Sequence, residues 1–322
     1  MKVLLLAGGA GFVGSNFSRY FLKRNKNFVI INIDKMLYPE SIFNIKDLEK
    51  SPRYHFIRGD ICNYELVNYI LKRYKPDFII NFADRSDNGK SAGLPSVIAS
   101  DNIMGTLTLL ENARRIWGKN CMSANRFIQV STDEVYGNTN NNNEYYLEDS
   151  VLSPEDPHAA SKAGADLMVT AFSKAYKLPA IITRSCSNYG PYQNAEKFVP
   201  SCIISALQDK PMPPGSTDIN TKEWIHVLDH CVAIIRVLFY GRPGEVYNIG
   251  TGEEYSNSDI AKKILGLAGK PIQCDEPAGE KPKARRALNS YKIKSNLIWA
   301  NKFRLGDGLK DTIEWYRANR SL

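Results

Sequence analysis

The sequence predicts an α/β protein: a Rossmann-type doubly wound parallel sheet with a smaller substrate-binding region toward the C-terminus. Three observations predict it. Short apolar runs alternate with helical spacing through the first half of the chain, the mark of βαβ units. A glycine-rich turn, Gly8-Gly9-Ala10-Gly11-Phe12-Val13-Gly14, joins the first apolar run to the first helical pattern. An acid, Asp34, ends the second apolar run about 20 residues later, the spacing of a dinucleotide site.

Taken in order, Val3–Ala7 reads as the first strand, Gly14–Arg24 as the first helix and Phe28–Ile33 as the second strand. Tyr54–Arg58, Phe78–Phe82 and Arg126–Ser131 read as further strands, with helical spacing over Tyr64–Arg73 and Pro95–Trp117. Asn138–Asn143 is a polar loop rich in asparagine. His158–Lys174, preceded by Pro154 and Pro157, is the next helix, and Pro179–Arg184 the next strand. From Asn188 the pattern loosens, with Pro191, Pro200, Pro211, Pro213 and Pro214. We therefore expect residues 1–187 to form the dinucleotide-binding domain, 225–250 to return to it, and 188–322 to be mainly the substrate-binding region. Ligands of such sheets bind at the carboxyl edge, in the crevice where the strand order reverses.

Composition narrows the class. A chain with 43% hydrophobic and 24% charged residues is neither disordered nor membrane-embedded. Its longest apolar runs, Val3–Ala7, Phe78–Ile80 and Ala233–Leu238, fall far short of the ~20 residues that span a bilayer. Met1-Lys2 leads at once into a strand, without a signal-peptide pattern, so a cytoplasmic protein is expected. The six cysteines (Cys62, Cys121, Cys186, Cys202, Cys231, Cys274) show no CxxC spacing and read as free thiols. Four histidines without HExxH or HxH spacing lead us to expect no metal. The net charge of +8 is spread over Lys23-Arg24-Lys26, Lys72-Arg73-Lys75 and Lys281 to Arg286. The first two groups fall at expected helix ends, and no nucleic-acid module is recognisable, so no nucleic-acid partner is expected.

Gly8, Gly11 and Gly14 allow a tight turn, let the backbone approach a pyrophosphate and let the helix pack close. The start of the helix that follows this turn offers free N–H groups to phosphate, and Phe12 and Val13 are expected at the cofactor with the three glycines. A carboxylate at Asp34 accepts hydrogen bonds from the ribose hydroxyls and repels a 2′-phosphate, so NAD is favoured over NADP. Asp60-Ile61 is expected near the adenine; Asp60 is equally well placed to cap the next helix, and both can hold.

Three pieces together carry a resemblance: the Gly-x-x-Gly-x-x-Gly turn, Ser131-Thr132-Asp133-Glu134-Val135-Tyr136-Gly137, and Ser187-Asn188-Tyr189-Gly190-Pro191-Tyr192-Gln193. The chain resembles the extended short-chain dehydrogenase/reductases, and most closely the dTDP-glucose 4,6-dehydratase family. Asp34-Lys35, Asn102 to Thr106, Glu196-Lys197 and Tyr247-Asn248-Ile249-Gly250 extend the likeness over nearly the whole chain. In that family hydride moves from sugar C4 to NAD, water is lost across C5–C6, and the hydride returns to C6. The resemblance implies that Thr132 binds the C4 oxygen, Asp133 protonates the departing C6 hydroxyl and Glu134 removes the C5 proton. It also places Lys35 and Ala83 at the cofactor, implies a nucleotide-diphosphate hexose (dTDP- or UDP-linked) as ligand, and implies a homodimer. The long helix around 95–117 and the helix 158–174 would build the dimer, with Leu107, Leu109, Leu110, Leu167, Met168 and Val169 supplying apolar surface.

Three departures stand out. The family's Tyr-x-x-x-Lys reads His158-Ala159-Ala160-Ser161-Lys162 here. Lys162, the ribose-binding lysine, is in place; His158 is a candidate base, a relic or a deliberate replacement, and Lys162 is expected to lower its pKa. The family's Ala-Ala-Glu-Ser-His-Val-Asp-Arg-Ser run reads Ala83-Asp84-Arg85-Ser86-Asp87-Asn88-Gly89-Lys90-Ser91. Ser86 keeps its match, but Arg85 stands at the acid and Asp87 at the histidine, reversing charge beside the sugar unless this is a drifted surface loop. The phosphate-binding Arg-Asp-Trp reads Lys222-Glu223-Trp224, which keeps a cation without the bidentate fork. Asn188, Lys197, Lys222, Asn248 and Arg285 are the expected diphosphate ligands, beside Ser86 and Asp87 at the sugar. The leading expectation is a dehydratase with altered substrate or chemistry. The alternatives are a non-catalytic homologue that binds the same ligands, or a related epimerase, against which the retained Asp133-Glu134 argues.

Overall fold

Apolar runs of four to seven residues build the central sheet of the computed structural model, which describes residues 1–86, 94–118, 125–139, 144–272 and 284–319. The first part of the chain runs β1 (Lys2–Ala7), α1 (Phe12–Arg24), β2 (Phe28–Asp34), β3 (Tyr54–Arg58), α2 (Tyr64–Tyr74) and β4 (Phe78–Asn81). It continues with α3 (Pro95–Ala99), α4 (Gly105–Trp117), β5 (Arg126–Thr132), α5 (Pro157–Tyr176), β6 (Ala180–Ser185) and β7 (Ser187–Tyr189). The remainder is α6 (Phe198–Leu207), β8 (Thr221–His226), α7 (Val227–Tyr240), β9 (Val246–Ile249), β10 (Glu254–Ser256), α8 (Asn257–Ala268), β11 (Arg285–Arg286), α9 (Tyr291–Asn296) and α10 (Leu305–Ala318).

Seven parallel strands lie in the order β3-β2-β1-β4-β5-β6-β9. Helices cover both faces, so the strands read as nearly unbroken apolar runs. Leu4 and Leu6 enter the core on one face, Leu5 and Ala7 the core on the other, as the two-residue period of a strand requires. The segment from Val227 to Ile249 joins this layer, since α7 packs on α1 and β9 extends the sheet beyond β6. A third core, with Val199, Cys202, Ile203, Ile260, Ile264, Leu309 and Ile313, holds α6, α8 and α10 together. A small second sheet, β10-β8-β11 with β7 beside β8, borders that cluster.

The strand order reverses between β1 and β4, and the glycine turn sits there. Gly8 has φ +74°, and a Cβ on it would lie 2.5 Å from the backbone nitrogen of Ala83. A Cβ on Gly14 would lie 2.6 Å from the Gly9 Cα, which is how close α1 runs to the turn. Gly9 N–H donates to the buried Asn32 Oδ1 at 2.9 Å, tying the turn to β2.

The helix expected over 95–117 is interrupted. Ser100–Met104 forms a π-helical turn between α3 and α4. The wider turn carries Asn102, whose Oδ1 accepts Arg85 N–H at 2.8 Å and whose Nδ2 donates to Ser161 Oγ at 2.8 Å. One extra residue in the turn thus aims an amide at the loop after β4, a use typical of such bulges. The apolar surface offered by α4 and α5 also divides. Leu109, Leu110 and Val169 are spent in the chain's own core, and Leu107 packs against it, whereas Leu167, Met168 and Met104 are exposed. Among the described residues no helix is long and apolar enough to cross a membrane.

The Gly8 geometry gives a direct test. Gly8→Ala should destabilise the fold by about 1–3 kcal/mol, through a left-handed φ and a backbone clash together. A urea midpoint equal to that of the parent protein would show that this close approach is not a constraint.

Candidate active site

A cavity opens at the carboxyl ends of β1, β2 and β4, and Gly8, Gly11, Asp34, Lys35, Asp60, Ile61 and Ala83 all line it. Phe12 and Val13 open α1, with their side chains against the sheet core. The α1 terminus has no side-chain cap at Gly11, which leaves N–H groups for an anion. Asp34 Oδ2 accepts Ala10 N–H at 3.0 Å and Oδ1 accepts Met36 N–H at 2.8 Å, and burial raises its pKa above the ordinary carboxylate value. An uncapped helix start, a glycine with no room for a Cβ and a carboxylate at the rim together fit a dinucleotide.

Asp60 does not cap α2; its Oδ1 accepts Cys62 N–H at 2.8 Å, and Asn63 caps the helix by accepting Leu66 N–H at 3.0 Å. Two extra residues of turn precede the helix, and Asn63 is the one in reach. Asp60, Cys62 and Asp101 bring three possible metal ligands within 4.8 Å of one another. The Lys35 ammonium already bridges the carboxylates, 2.6 Å from Asp101 and 3.4 Å from Asp60. Arg85 also turns to Asp101, at 3.0 Å, so its charge is neutralised on the cofactor side instead of standing free beside a sugar.

β5 ends at Thr132, and the chain enters a 3₁₀ turn over Asp133–Tyr136. Thr132 Oγ1 accepts Glu134 N–H at 3.2 Å, which holds both acids at the head of the strand. Asp133 is buried, and burial raises its pKa even with Arg286 Nε 2.9 Å from its Oδ2. Burial acts on Glu134 in the same sense, but His158 and Arg286 outweigh it and bring Glu134 down to about 2. Neighbouring carboxyls in one turn are therefore pushed in opposite directions, the pattern of a paired acid and base.

α5 starts at Pro157, with Asp156 capping it by accepting Ala159 N–H at 2.8 Å. His158 and Lys162 lie one turn apart on it and face the same way. Lys162 is buried, donates to the Val130 carbonyl at 2.7 Å and stands 4.0 Å from Asp84 Oδ1. His158 Nε2 lies 2.8 Å from Asp84 Oδ1, and its Nδ1 lies 3.3 Å from Glu134 Oε2. Burial disfavours the charged ring, yet Asp84 and then Glu134 outweigh it, and the His158 pKa rises to about 10. This reverses the expectation that Lys162 would lower it. The nearby carboxylates, not the ammonium, set the local potential. Asp84 escaped the sequence reading, although an acid where the family has its second alanine was the available signal. It is held well below the ordinary carboxylate range: burial opposes this, and Lys162 and His158 prevail.

The other expected ligands divide. Lys197 Nζ donates to Ser86 Oγ at 3.2 Å, joining the head of α6 to the loop after β4. Asp87 lies outside the described residues. Asn188 donates to Ser185 Oγ and the Cys186 carbonyl, while its buried Oδ1 has no hydrogen-bond partner among the described residues. Lys222 lies 4.6 Å from the centre of the Trp224 ring; burial, then Arg286, lowers its pKa. Asn248 is a correction. It is fully buried, accepting from Tyr136 OH at 2.8 Å and donating to the Tyr146 carbonyl at 2.9 Å, so its amide is consumed inside the fold. Arg285 is another. It is buried against Glu254, with contacts at 2.5 and 2.6 Å, and its neighbour Arg286 reaches Asp133 and Glu134 instead. Successive strand residues face opposite sides, and β11 pairs Arg286 with Lys222 and Arg285 with Thr221. Only the Arg286 side faces the acids, and a two-residue strand offers too short a pattern to tell the sides apart.

Comparison with known proteins places this geometry. The model of the GDP-mannose 4,6 dehydratase family matches residues 5–312. The chain belongs to that family. Within the family it is similar to the dTDP-glucose 4,6-dehydratase of Neisseria meningitidis serogroup B, 33% identical over 338 residues, covering 100% of this chain and 95% of the relative. Among solved structures, the dTDP-glucose 4,6-dehydratase of Bacillus anthracis in complex with NAD superposes with a TM-score of 0.90 at 37% identity, covering 100% of this chain and 98% of that one. The UDP-glucuronic acid 4-epimerase of Bacillus cereus, with UDP-glucuronic acid and NAD, superposes at 0.85 with 26% identity over 98% of this chain and 99% of that one. The dehydratase-family resemblance and the Rossmann-type fold expected from the sequence are thus shown.

The charge on His158 has a consequence for stability. Its folded pKa lies above the ordinary histidine value of 6.5, so its contribution is complete below that pH and is lost as pH rises toward about 10. Glu134 acts in the opposite sense: its contribution is present above its ordinary 4.5 and is lost as pH falls toward about 2. His158→Gln should therefore show a shallower fall in unfolding free energy than the parent between pH 6.5 and 10, followed by urea titration. Parallel curves would show that the ring is not held charged in the fold.

Proposed function

We propose that this chain is an NAD-dependent 4,6-dehydratase of a nucleotide-diphosphate hexose, dTDP- or UDP-linked. One observation carries the reading: Asp133 and Glu134, adjacent at the end of β5, are pushed in opposite directions, and His158 joins Glu134 to Asp84, which lines the cavity that fits a dinucleotide. Asp34 and the α1 terminus would hold the ribose and pyrophosphate of NAD, and Lys162 the nicotinamide ribose. Held there, NAD would supply the acceptor for the C4 hydride and the source of its return to C6. Thr132 Oγ1 orients the C4 oxygen. Glu134, ionised, would take the C5 proton and return it to C5 as the hydride reaches C6; Asp133, whose pKa burial raises, would give a proton to the C6 hydroxyl, which leaves as water, and regain one from solvent. The proton of the C4 hydroxyl would leave to solvent, since both His158 ring nitrogens face carboxylates. Lys222, Arg286, Lys197, Ser86 and Asn188, whose Oδ1 has no partner among the described residues, would hold the sugar and diphosphate.

A second reading has its own observation. Both His158 ring nitrogens face carboxylates, so no lone pair is open at neutral pH for the C4 proton. That favours a homologue that binds the same ligands with impaired turnover. The two readings separate when purified protein is incubated with dTDP- and UDP-hexoses and the product mass is followed. Loss of 18 mass units, one water, supports the dehydratase; an unchanged mass with an inverted C4 centre would mean an epimerase, and bound but unaltered substrate a binding protein.

Asp133→Asn and Glu134→Gln should each reduce dehydration by about 10²–10⁴-fold, the usual worth of a positioned acid or base. Normal loss of water in both variants would remove these acids from the chemistry. Asp34→Ala should weaken NAD binding, read by calorimetry; an unchanged affinity would show that another group holds the ribose. We also propose a homodimer through α4 and α5, supported by exposed Met104, Leu167 and Met168 on neighbouring helices. Light scattering at micromolar concentration should give twice the chain mass, and Leu167→Asp should reduce it to one.

A further inference from the structure

We propose that Asp84, His158 and Glu134 act as one unit, in which His158 is a fixed cation that aims Glu134 and keeps it ionised, and Asp84 is the positioning residue that holds the ring. The geometry stands by itself; what Glu134 does in the unit rests on the dehydratase reading.

Donor and acceptor counting leads there. A neutral imidazole carries one N–H and one lone pair, so beside two carboxylates it would turn a lone pair on one of them. Here Nε2 meets Asp84 Oδ1 at 2.8 Å and Nδ1 meets Glu134 Oε2 at 3.3 Å. With both acids ionised, as the cations behind each favour, the ring with protons on both nitrogens is the form that satisfies both contacts. The ring is 15% exposed, while Asp84 and Glu134 are 37% and 34% exposed, so the ring is enclosed between two acids that each keep one edge toward solvent.

The surrounding charges agree. Asp84 comes from the loop after β4, Glu134 from the turn after β5, and His158 from α5. Lys162, also on α5, is 4.0 Å from Asp84 Oδ1, and Lys197 at the head of α6 adds to the field on that carboxylate. Arg286 from β11 is 3.4 Å from Glu134, and Lys222 from β8 acts on it as well. Two acids thus share the ring, each with further cations behind it. An acid at position 84 and a histidine at 158 belong together. A tyrosine at 158 has one O–H and could satisfy one carboxylate only, leaving the other to the cations behind it. The unit therefore serves the C5 proton, which Glu134 removes, and His158 does not receive the C4 proton at neutral pH.

The test has two arms. In the first, without any nucleotide sugar, the His158 Cε1–H resonance is followed by NMR from pH 5 to 9 and assigned by its loss in His158→Gln. It should not titrate in the parent protein. Asp84→Asn should bring its midpoint down by about 1–3 units, and Glu134→Gln by less, since Asp84 makes the nearer contact. A parent midpoint near 6.5, or a midpoint untouched by Asp84→Asn, overturns the proposal. In the second arm, turnover is measured on a hexose deuterated at C5. Asp84→Asn should enlarge the primary isotope effect, because a less well-aimed Glu134 makes C5 proton removal slower, and Asp84→Glu should restore part of the rate. An unchanged isotope effect with a uniformly slower reaction makes Asp84 merely structural and overturns the proposal. If the parent protein turns over no hexose at all, the dehydratase reading fails, and the titration decides the unit by itself.

Discussion

The close passage of the glycine turn over the end of β4 is the constraint on which the site depends. Gly8 takes a left-handed φ, and its Cα stands where any side chain would strike the Ala83 backbone. That contact lies at the reversal of strand order, so it shapes the cavity floor. It also determines where the chain goes next. Asp84 follows Ala83 directly and is delivered to the mouth of the cavity, within reach of α5. The glycine turn and the Asp84 carboxylate are therefore placed by one backbone contact between parallel neighbours, β1 and β4.

Around that floor the charges are arranged by layers. On the cofactor side Lys35 and Arg85 share Asp101, with Asp60 alongside. On the chemical side His158 lies between Asp84 and Glu134, and Arg286 spans Glu134 and Asp133. Burial raises Asp133, which sits deepest, while Glu134, a third exposed and flanked by two cations, goes the other way. Identical chemistry in adjacent residues is separated by depth and by who stands opposite, which is how one turn can offer both a proton and a lone pair.

The helices beyond the sheet show the same economy of faces. α4 and α5 spend Leu109, Leu110 and Val169 on their own core, while Leu167 and Met168 on α5 and Met104 in the π turn stay outside. The π turn before α4 gives up regular hydrogen bonding to bring Asn102 to the Arg85 backbone and Ser161. Both features serve position: one layer fastens the loop after β4, the other leaves an apolar stripe open.

The sequence by itself determined the sheet, the glycine turn, Asp34 at the carboxyl end of β2 and the Thr132-Asp133-Glu134 head of β5. These are local matters, legible because strand period, glycine conformation and motif spacing act over a few residues. It also showed that His158 stands where a tyrosine was expected. What it could not show was the sign of the potential around that ring, because Asp84 and Glu134 lie 74 and 24 residues away in the chain and meet it only through the sheet and α5. The tertiary structure likewise decided that Arg286, not Arg285, faces the acids, and that Asn248 is consumed beneath them. Which side of a two-residue strand looks inward depends on its pairing partner, and whether an amide is free depends on what packs against it. Both are properties of neighbours distant in sequence, and packing alone supplies them.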